Sequence, residues 1–264
     1  MNEYQSSFGR LVNIMDELRE KCPWDKKQTL ESLRHLTIEE TYELSEAILD
    51  GDMKKIRSEL GDLLLHIVFY TRIAREQNAF TLEEVIDGLS EKLIKRHPHI
   101  YGDVIAETAE EVKHNWEKIK LEEKDKEGNA VNKTVLDGVP RSLPAMVKAW
   151  RMQEKARGAG FDWEKPEQVM EKVKEELQEL NSEIQSGKNQ HNIEEEFGDL
   201  LFALVNYARF INVNPEDALE KTNRKFMARF NYMEDKIRGS GKQMGNLSLA
   251  EMDVYWNEAK KLGM

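Results

Sequence analysis

The feature that most constrains this chain is an internal repeat of acidic residues. EETYEL at 39–44 returns as EELQEL at 175–180, and ELGDLLL at 59–65 returns as EFGDLLF at 196–202. The offsets are 136 and 137, so a single-residue indel relates the copies. Downstream, Lys92 and Arg96 pair with Lys225 and Arg229 at offset 133. Upstream, CPWD (22–25) and GFDW (160–163) each place an aromatic and an aspartate ahead of the glutamate segment. Four segments in the same order and at matched spacing imply a duplicated domain of roughly 110 to 130 residues; two copies are too few for a solenoid. Between them, KEGNAVNKTVLDGVP (126–140) is weakest in helical pattern and ends in Gly138-Val139-Pro140. It reads as a linker joining domains 1–125 and 141–264.

Periodicity gives the class of both halves. Phe8, Leu11, Val12, Met15 and Leu18 form one helical stripe. A second stripe runs from Leu30 to Leu49 and is broken by Gly51 and Asp52. Ile56 to Ala74 is apolar on most faces and reads as a buried central helix. Thr81-x-x-Glu84, Thr108-x-x-Glu111 and Ser248-x-x-Glu251 carry the capping-box pattern, and Asn214-Pro215 sets a cap before a first-turn proline. Alternating β-branched runs are missing. The prediction is an all-α protein of about ten helices in two tandem related bundles.

Composition narrows the function classes. The 264 residues carry 39 Lys+Arg against 50 Asp+Glu, a net charge of −11, with a mean hydropathy of −0.69. That balance argues against general nucleic-acid binding, which relies on basic side chains to neutralise phosphates. One cysteine, Cys22, excludes an internal disulfide and fits a reducing, cytoplasmic setting. The charged N-terminal stretch lacks an apolar signal-peptide core, and no segment approaches the roughly 20 apolar residues of a membrane helix.

Within the acid excess, some carboxylates are patterned. Glu40 and Glu43, then Glu176 and Glu179, sit three apart, as neighbours on a helix surface. One helix later come Glu59 and Asp62, then Glu196 and Asp199. The gap suffices to finish a helix, turn, and start an antiparallel partner, so four carboxylates can face one space. Asp199 lies in an apolar run, where a carboxylate is costly unless paired or bound to a cation. Gly61 and Gly198, inside helices, point to close approach of another helix or a ligand. Hard oxygen donors with no neighbouring histidine or thiolate favour Mg²⁺, or Mn²⁺, over zinc. The bland reading is two solvated faces of Glu/Lys pairs; its weight falls because the pattern occurs twice.

Lys221, Lys225 and Arg229 form a basic stripe on a helix beginning near Pro215. Phosphate oxygens suit it; pairing with nearby acids is the alternative. Other features are read as structural. Cys22 is a packing residue, and His97-Pro98-His99 is a turn. Glu111-x-x-His114 is a single copy of a motif that di-iron bundles need twice. Trp24, Phe161 and Trp163 read as core anchors, with stacking on a base the sharper alternative for the last two.

The EExxE…ExxD pattern, in two tandem copies with CPWD, GFDW and RHPH, resembles the MazG-type members of the all-α nucleoside triphosphate pyrophosphohydrolases. The resemblance covers essentially the whole chain. It implies helical domains that form homodimers, Mg²⁺ dependence, and hydrolysis of nucleoside triphosphates to monophosphate and pyrophosphate in house-cleaning of nucleotide pools. Carried over by position, it implies Glu176, Glu179, Glu196 and Asp199 as metal ligands. It implies Lys172, Glu175, Asn223, Lys225, Arg229 and Trp256 as substrate contacts, and Glu175 and Glu176 as catalytic, with Glu175 orienting the attacking water. The first half keeps its acids, Glu40, Glu43, Glu59 and Asp62, as a possible degenerate metal site. It loses most of the basic stripe: Lys221, Asn223 and Arg224 face Gly88, Ser90 and Glu91. The expected catalytic half is therefore the second.

Overall fold

The computed structural model describes residues 3–122, 134–187 and 189–264. Residues 126–133 of the expected linker and the side chain of His114 lie outside the described residues. Every regular element described is helical. Two compact units result, Met1–Ile105 and Ala106–Met264. Among the described residues no helix is long and apolar enough to cross a membrane.

The first unit opens with α1 (Glu3–Lys21) and a 3-10 turn (Asp25–Lys27), followed by α2 (Leu30–Asp50), α3 (Met53–Glu76), α4 (Leu82–Arg96) and the short α5 (Pro98–Tyr101). Thr29 starts α2 by accepting from the Ser32 N–H, and the Ser32 hydroxyl accepts from the Thr29 N–H. Gly51 ends α2 at φ 67°, a left-handed conformation that glycine adopts without strain. Asp52 then caps α3 through the N–H groups of Lys54 and Lys55. This two-residue joint folds α3 back on α2. The core gathers Met15, Leu33, Val68, Phe69 and Ile73, with Phe8, Leu11 and Val12 of the α1 stripe packed against it. Each such side chain contributes about 1.5–3 kcal/mol when fully buried. Leu18, the last of that stripe, stays exposed. Asp16 instead draws Arg72 and Arg75 of α3 to α1, and Arg19 pairs with Glu76 at 3.0 Å.

The second unit contains α6 (Ala109–Glu122), α7 (Ala145–Gly158), α8 (Pro166–Ser186), α9 (Gln190–Phe210), α10 (Pro215–Gly239), a 3-10 turn (Met244–Asn246) and α11 (Leu249–Lys261). Helix α6 packs on α7, which places it in this unit. The main pair is α8 with α9, the counterpart of α2 with α3. The expected caps form: Thr108 with Glu111, Asn214 with the Glu216 and Asp217 N–H groups, and Ser248 with Glu251.

The central helices differ from expectation. Only the second half of α3 is buried, and Leu60, Leu64 and Ile67 are exposed. Helix α9 buries Ala203, Val205 and Arg209 while exposing Phe197, Leu201 and Leu204. These exposed trios are register equivalents at offset 137. The physical reason is that one chain supplies too few partners to cover the outer face of either central helix. Among the described residues the expected close approach at Gly61 and Gly198 is likewise not made, since a Cβ at either would meet nothing within 4 Å. Gly198→Ala should therefore raise the stability of the second unit by about 0.5–1 kcal/mol, measured by urea unfolding. A loss of stability would show that something does pack against this backbone.

Candidate functional site

On α8, Lys172, Glu175, Glu176 and Glu179 fall at i, i+3, i+4 and i+7 and share one face. Glu196 and Asp199 share a face of α9 in the same way. The pairing of these helices brings carboxylate oxygens of Glu176, Glu196 and Asp199 within 4.8 Å of one another. Glu176 is the deeply buried member, 6% exposed. Its partner is Lys172, whose Nζ lies 2.6 Å from Glu176 Oε1 and 2.9 Å from Glu175 Oε1. Hydrogen bonds to Glu176 and then Glu175 hold the Lys172 ammonium well above the usual lysine range.

Glu196 shows the consequence of crowding. Desolvation, then the charges of Glu179, Asp199 and Glu176, push its carboxyl above the ordinary glutamate value. Glu179 is thus felt electrostatically, although it is exposed and outside the tight trio. Among the described residues no ion pair neutralises Glu196 or Asp199. Three hard oxygen donors and an uncompensated negative charge fit a divalent cation of the Mg²⁺ or Mn²⁺ type. Asp199 itself is exposed, so its apolar neighbours in sequence do not bury it; the costly carboxylate is Glu176.

The first unit has a related cluster of Glu40, Glu43 and Glu59. Glu40 is raised by desolvation, then by the charges of Asp62, Glu43 and Glu59. It lacks the lysine, because Leu36 stands at the position of Lys172 at offset 136.

Lys172, Glu176 and Asp199 also line a cavity of about 720 Å³ in the second unit. Its walls come from α7 (Met152, Gln153, Ala156), the GFDW segment (Phe161, Asp162, Trp163) and α9 (Phe202, Ala203, Asn206, Arg209). Val135 and Leu136, from the segment read as linker, complete it. Lys155 holds that segment, its Nζ donating to the carbonyls of Asp137 at 2.7 Å and Val135 at 3.2 Å. Asp162 accepts from both terminal nitrogens of Arg209, one at 2.9 Å, and Arg209 also donates to Asn206 Oδ1. The aromatic residues are not core anchors: Trp24, Phe161 and Trp163 are all exposed. The last two instead flank the cavity, because the Asp162–Arg209 pair fixes the backbone between them.

The remaining expected contacts lie elsewhere. Arg229 Nε donates to the Met264 carbonyl at 2.8 Å, and its guanidinium lies 5.8 Å from the Trp256 ring centre. Trp256 packs on Phe226, and Asn223 reaches Glu220. Among the described residues no hydrogen bond or ion pair joins Asn223, Lys225, Arg229 or Trp256 to the four carboxylates. The structure therefore assembles Lys172, Glu175, Glu176, Glu196 and Asp199, and sets Arg229 beside Trp256 of α11. Sequence reasoning missed Gln153, Asn206 and Arg209. For Asn206 and Arg209 the signal was present as polar residues interrupting the apolar run LLFALVNYARF; Gln153, within RMQEK at 151–155, carried no such signal.

An all-helical unit with carboxylates facing each other across one helix pair, beside a cavity of small-molecule size, defines a class of acid-lined ligand site on a helical bundle. The MazG nucleotide pyrophosphohydrolase domain matches residues 28–101 and again 164–233, and the chain belongs to this family. It is 46% identical over 262 residues to the nucleoside triphosphate pyrophosphohydrolase/pyrophosphatase MazG of Thermotoga maritima, covering 98% of each chain. It is 41% identical over 260 residues to the nucleoside triphosphate pyrophosphohydrolase of Escherichia coli K12, covering 97% of this chain and 98% of that one. It is 46% identical over 256 residues to the uncharacterized protein YabN of Bacillus subtilis, covering 96% of this chain and 52% of that one.

Arg209 is buried, so removing its partner leaves a charge without compensation. Asp162→Ala should lower the stability of the second unit by about 3–5 kcal/mol, read as a reduced urea midpoint, with a rise in Trp163 solvent exposure by fluorescence. An unchanged midpoint would show that the pair does not hold the GFDW segment.

Proposed function

We propose that this protein hydrolyses nucleoside triphosphates to nucleoside monophosphate and pyrophosphate, with Mg²⁺ or Mn²⁺, at the site in its second unit. The observation that carries the reading is the buried Glu176 set against Glu196 and Asp199 on the wall of a cavity large enough for a nucleoside. Family membership and the names of the two full-length relatives support it. The physiological role that follows is house-cleaning of nucleotide pools.

Glu176, Glu179, Glu196 and Asp199 would hold the cation. When bound, it supplies polarisation of the phosphoryl oxygens and a lowered pKa of water. Glu175, exposed and steadied by Lys172, takes the proton of the attacking water. The water oxygen bonds to the α-phosphorus, the bond from that phosphorus to the α–β bridging oxygen breaks, and pyrophosphate leaves with the electron pair. Lys172 offsets the negative charge of the acids next to the substrate. Asn223, Lys225 and Arg229 contact the phosphates, and Trp256 packs beside them. For this Arg229 exchanges the Met264 carbonyl for a phosphate oxygen.

Assignment to the second unit is supported by what fills the first. His66 and Phe69 stand at the positions of Ala203 and Asn206 at offset 137, and both are buried. Two larger side chains thus occupy the register where the second unit keeps its cavity. A homodimer is proposed as well, supported by the matched exposed trios on α3 and α9.

Glu196→Ala should reduce pyrophosphate release at least about a hundredfold, while Glu59→Ala keeps most of it. The reverse would move the active site to the first unit. In ¹⁸O-water the label should enter the nucleoside monophosphate; label only in orthophosphate would sink the α-phosphorus mechanism. Nucleotide binding with no release at all would make the chain a degenerate interaction module. For the dimer, Leu201→Asp should weaken self-association at least about tenfold by analytical ultracentrifugation; equal association in variant and wild type would remove α9 from the interface.

A further inference from the structure

One wall of the cavity is a turn held by a buried charge to which the acid cluster gives no role. Residues 134–138 precede α7 and fold on themselves. The Thr134 N–H donates to Asp137 Oδ2 at 2.8 Å, and the Asp137 N–H donates to the Thr134 carbonyl at 3.1 Å. Gly138 follows at φ 77°, so the chain leaves the turn through a conformation that only glycine adopts freely. Val135 and Leu136, at the centre of the turn, line the cavity. Leu136 is 43% exposed, so deep burial of this apolar side chain does not anchor the turn.

What ties it to the bundle is Lys155 of α7. This lysine is 6% exposed. Its Nζ donates to the Asp137 carbonyl at 2.7 Å and to the Val135 carbonyl at 3.2 Å. A buried ammonium is costly unless its hydrogen bonds are made, and bonds from a charged donor are among the stronger ones. The charge therefore favours the one position of the turn in which both carbonyls face it. Met152 and Ala156, on either side of Lys155 in α7, line the same cavity, as do Lys172, Glu176 and Asp199. The helix that supplies one wall thus fixes the wall next to it.

We propose that residues 134–138 are a strap that retains the substrate in the second unit, and that Lys155 is the positioning residue that latches it. This rests on the pyrophosphohydrolase reading above. Lys155 reaches two backbone carbonyls of the turn and acts on the substrate through them. With the latch broken, Val135 and Leu136 leave the wall, and the substrate loses apolar contact and shelter from water. That contact is the same before and during the breaking of the phosphoanhydride bond, so its loss falls on KM rather than kcat.

Lys155→Met nearly keeps the length of the side chain and removes the ammonium. It should raise the KM for ATP with Mg²⁺ by about tenfold and hold kcat within about twofold. Leu136→Ser leaves Lys155 in place and alters an exposed side chain, so it tests the strap without disturbing the bundle. It should raise the same KM by about threefold at constant kcat. Hydrogen exchange reads the latch itself at the amides of Asp137 and Val139, both hydrogen-bonded within the turn. In Lys155→Met they should exchange at least about tenfold faster than in wild type, with α8 and α9 unchanged. In wild type, saturating α,β-methylene ATP with Mg²⁺, which resists cleavage at the α–β bond, should slow them at least about threefold.

Three results overturn the proposal. One is wild-type exchange that the analogue leaves unchanged, an outcome that needs no variant to fold. Another is a KM for ATP in Leu136→Ser equal to that of wild type. The third is exchange that rises through α7, α8 and α9 alike in Lys155→Met, which makes the lysine a support of the whole unit. If wild type releases no pyrophosphate from any nucleoside triphosphate, the pyrophosphohydrolase reading fails instead. Exchange without nucleotide then decides the latch: amides of the turn freed selectively in Lys155→Met support it, and unchanged amides overturn it.

Discussion

Like charges held close together govern the second unit. Carboxylate oxygens of Glu176, Glu196 and Asp199 lie within 4.8 Å of one another, and carboxylates sharing a space resist ionising together. One cation of the protein, Lys172, answers this repulsion, and it is bound to Glu175 and Glu176. Desolvation first, and then the field of Glu179, Asp199 and Glu176, hold the Glu196 proton more tightly than usual. Helix α8 places its acids by i, i+3 register, α9 does the same, and the short joint between them turns the two faces together. Among the described residues no cation besides Lys172 is paired with Glu176, Glu196 or Asp199.

The two halves share this skeleton and part company at the cavity. In the first unit the central helix carries His66 and Phe69, and Phe69 belongs to the hydrophobic core. In the second, Ala203 and Asn206 stand at those positions and line open space. The arginine common to both, Arg72 and Arg209 at offset 137, is used differently. Arg72 binds Asp16 on α1 and closes the core, whereas Arg209 binds Asp162 and holds the GFDW segment beside the cavity. Larger buried side chains stand in the first unit at the two positions that line the cavity in the second.

Much of this was legible in the sequence because it is local. Helix caps such as Thr81–Glu84 and Ser248–Glu251 depend on residues three apart, and they form as read. The repeat and the i, i+3 acids are also short-range patterns, so Glu176, Glu196 and Asp199 were found before their distances were known. Burial was less legible. A run such as EFGDLLFALV announces an apolar helix, but not which of its faces a single chain covers; Phe197 and Leu201 turned out exposed and Glu176 buried. The aromatic residues of GFDW read as core because hydrophobicity alone does not reveal that Asp162 is tied to Arg209, 47 residues away. The position of the α10 stripe was equally beyond reach, since helical spacing fixes a face without fixing what that face meets. Arg229 meets the Met264 carbonyl and the Trp256 ring.

The Asp162–Arg209 pair also accounts for the polarity of the site. Both charges border the cavity, yet each is neutralised by the other, so neither offers an open charge to a ligand. What is left unmet there is a neutral acceptor, Gln153 Oε1. On the α8–α9 wall the reverse holds, with acids in excess of their one ammonium. A bare phosphate is repelled by that wall, and a free base has nothing to bind there. On the proposed function, a phosphate–cation assembly would meet the α8–α9 wall and an uncharged part of the substrate the apolar wall. On the same reading, a nucleotide placed with its phosphates among Phe161, Trp163 and Phe202 would bury their charge at a desolvation cost of several kcal/mol.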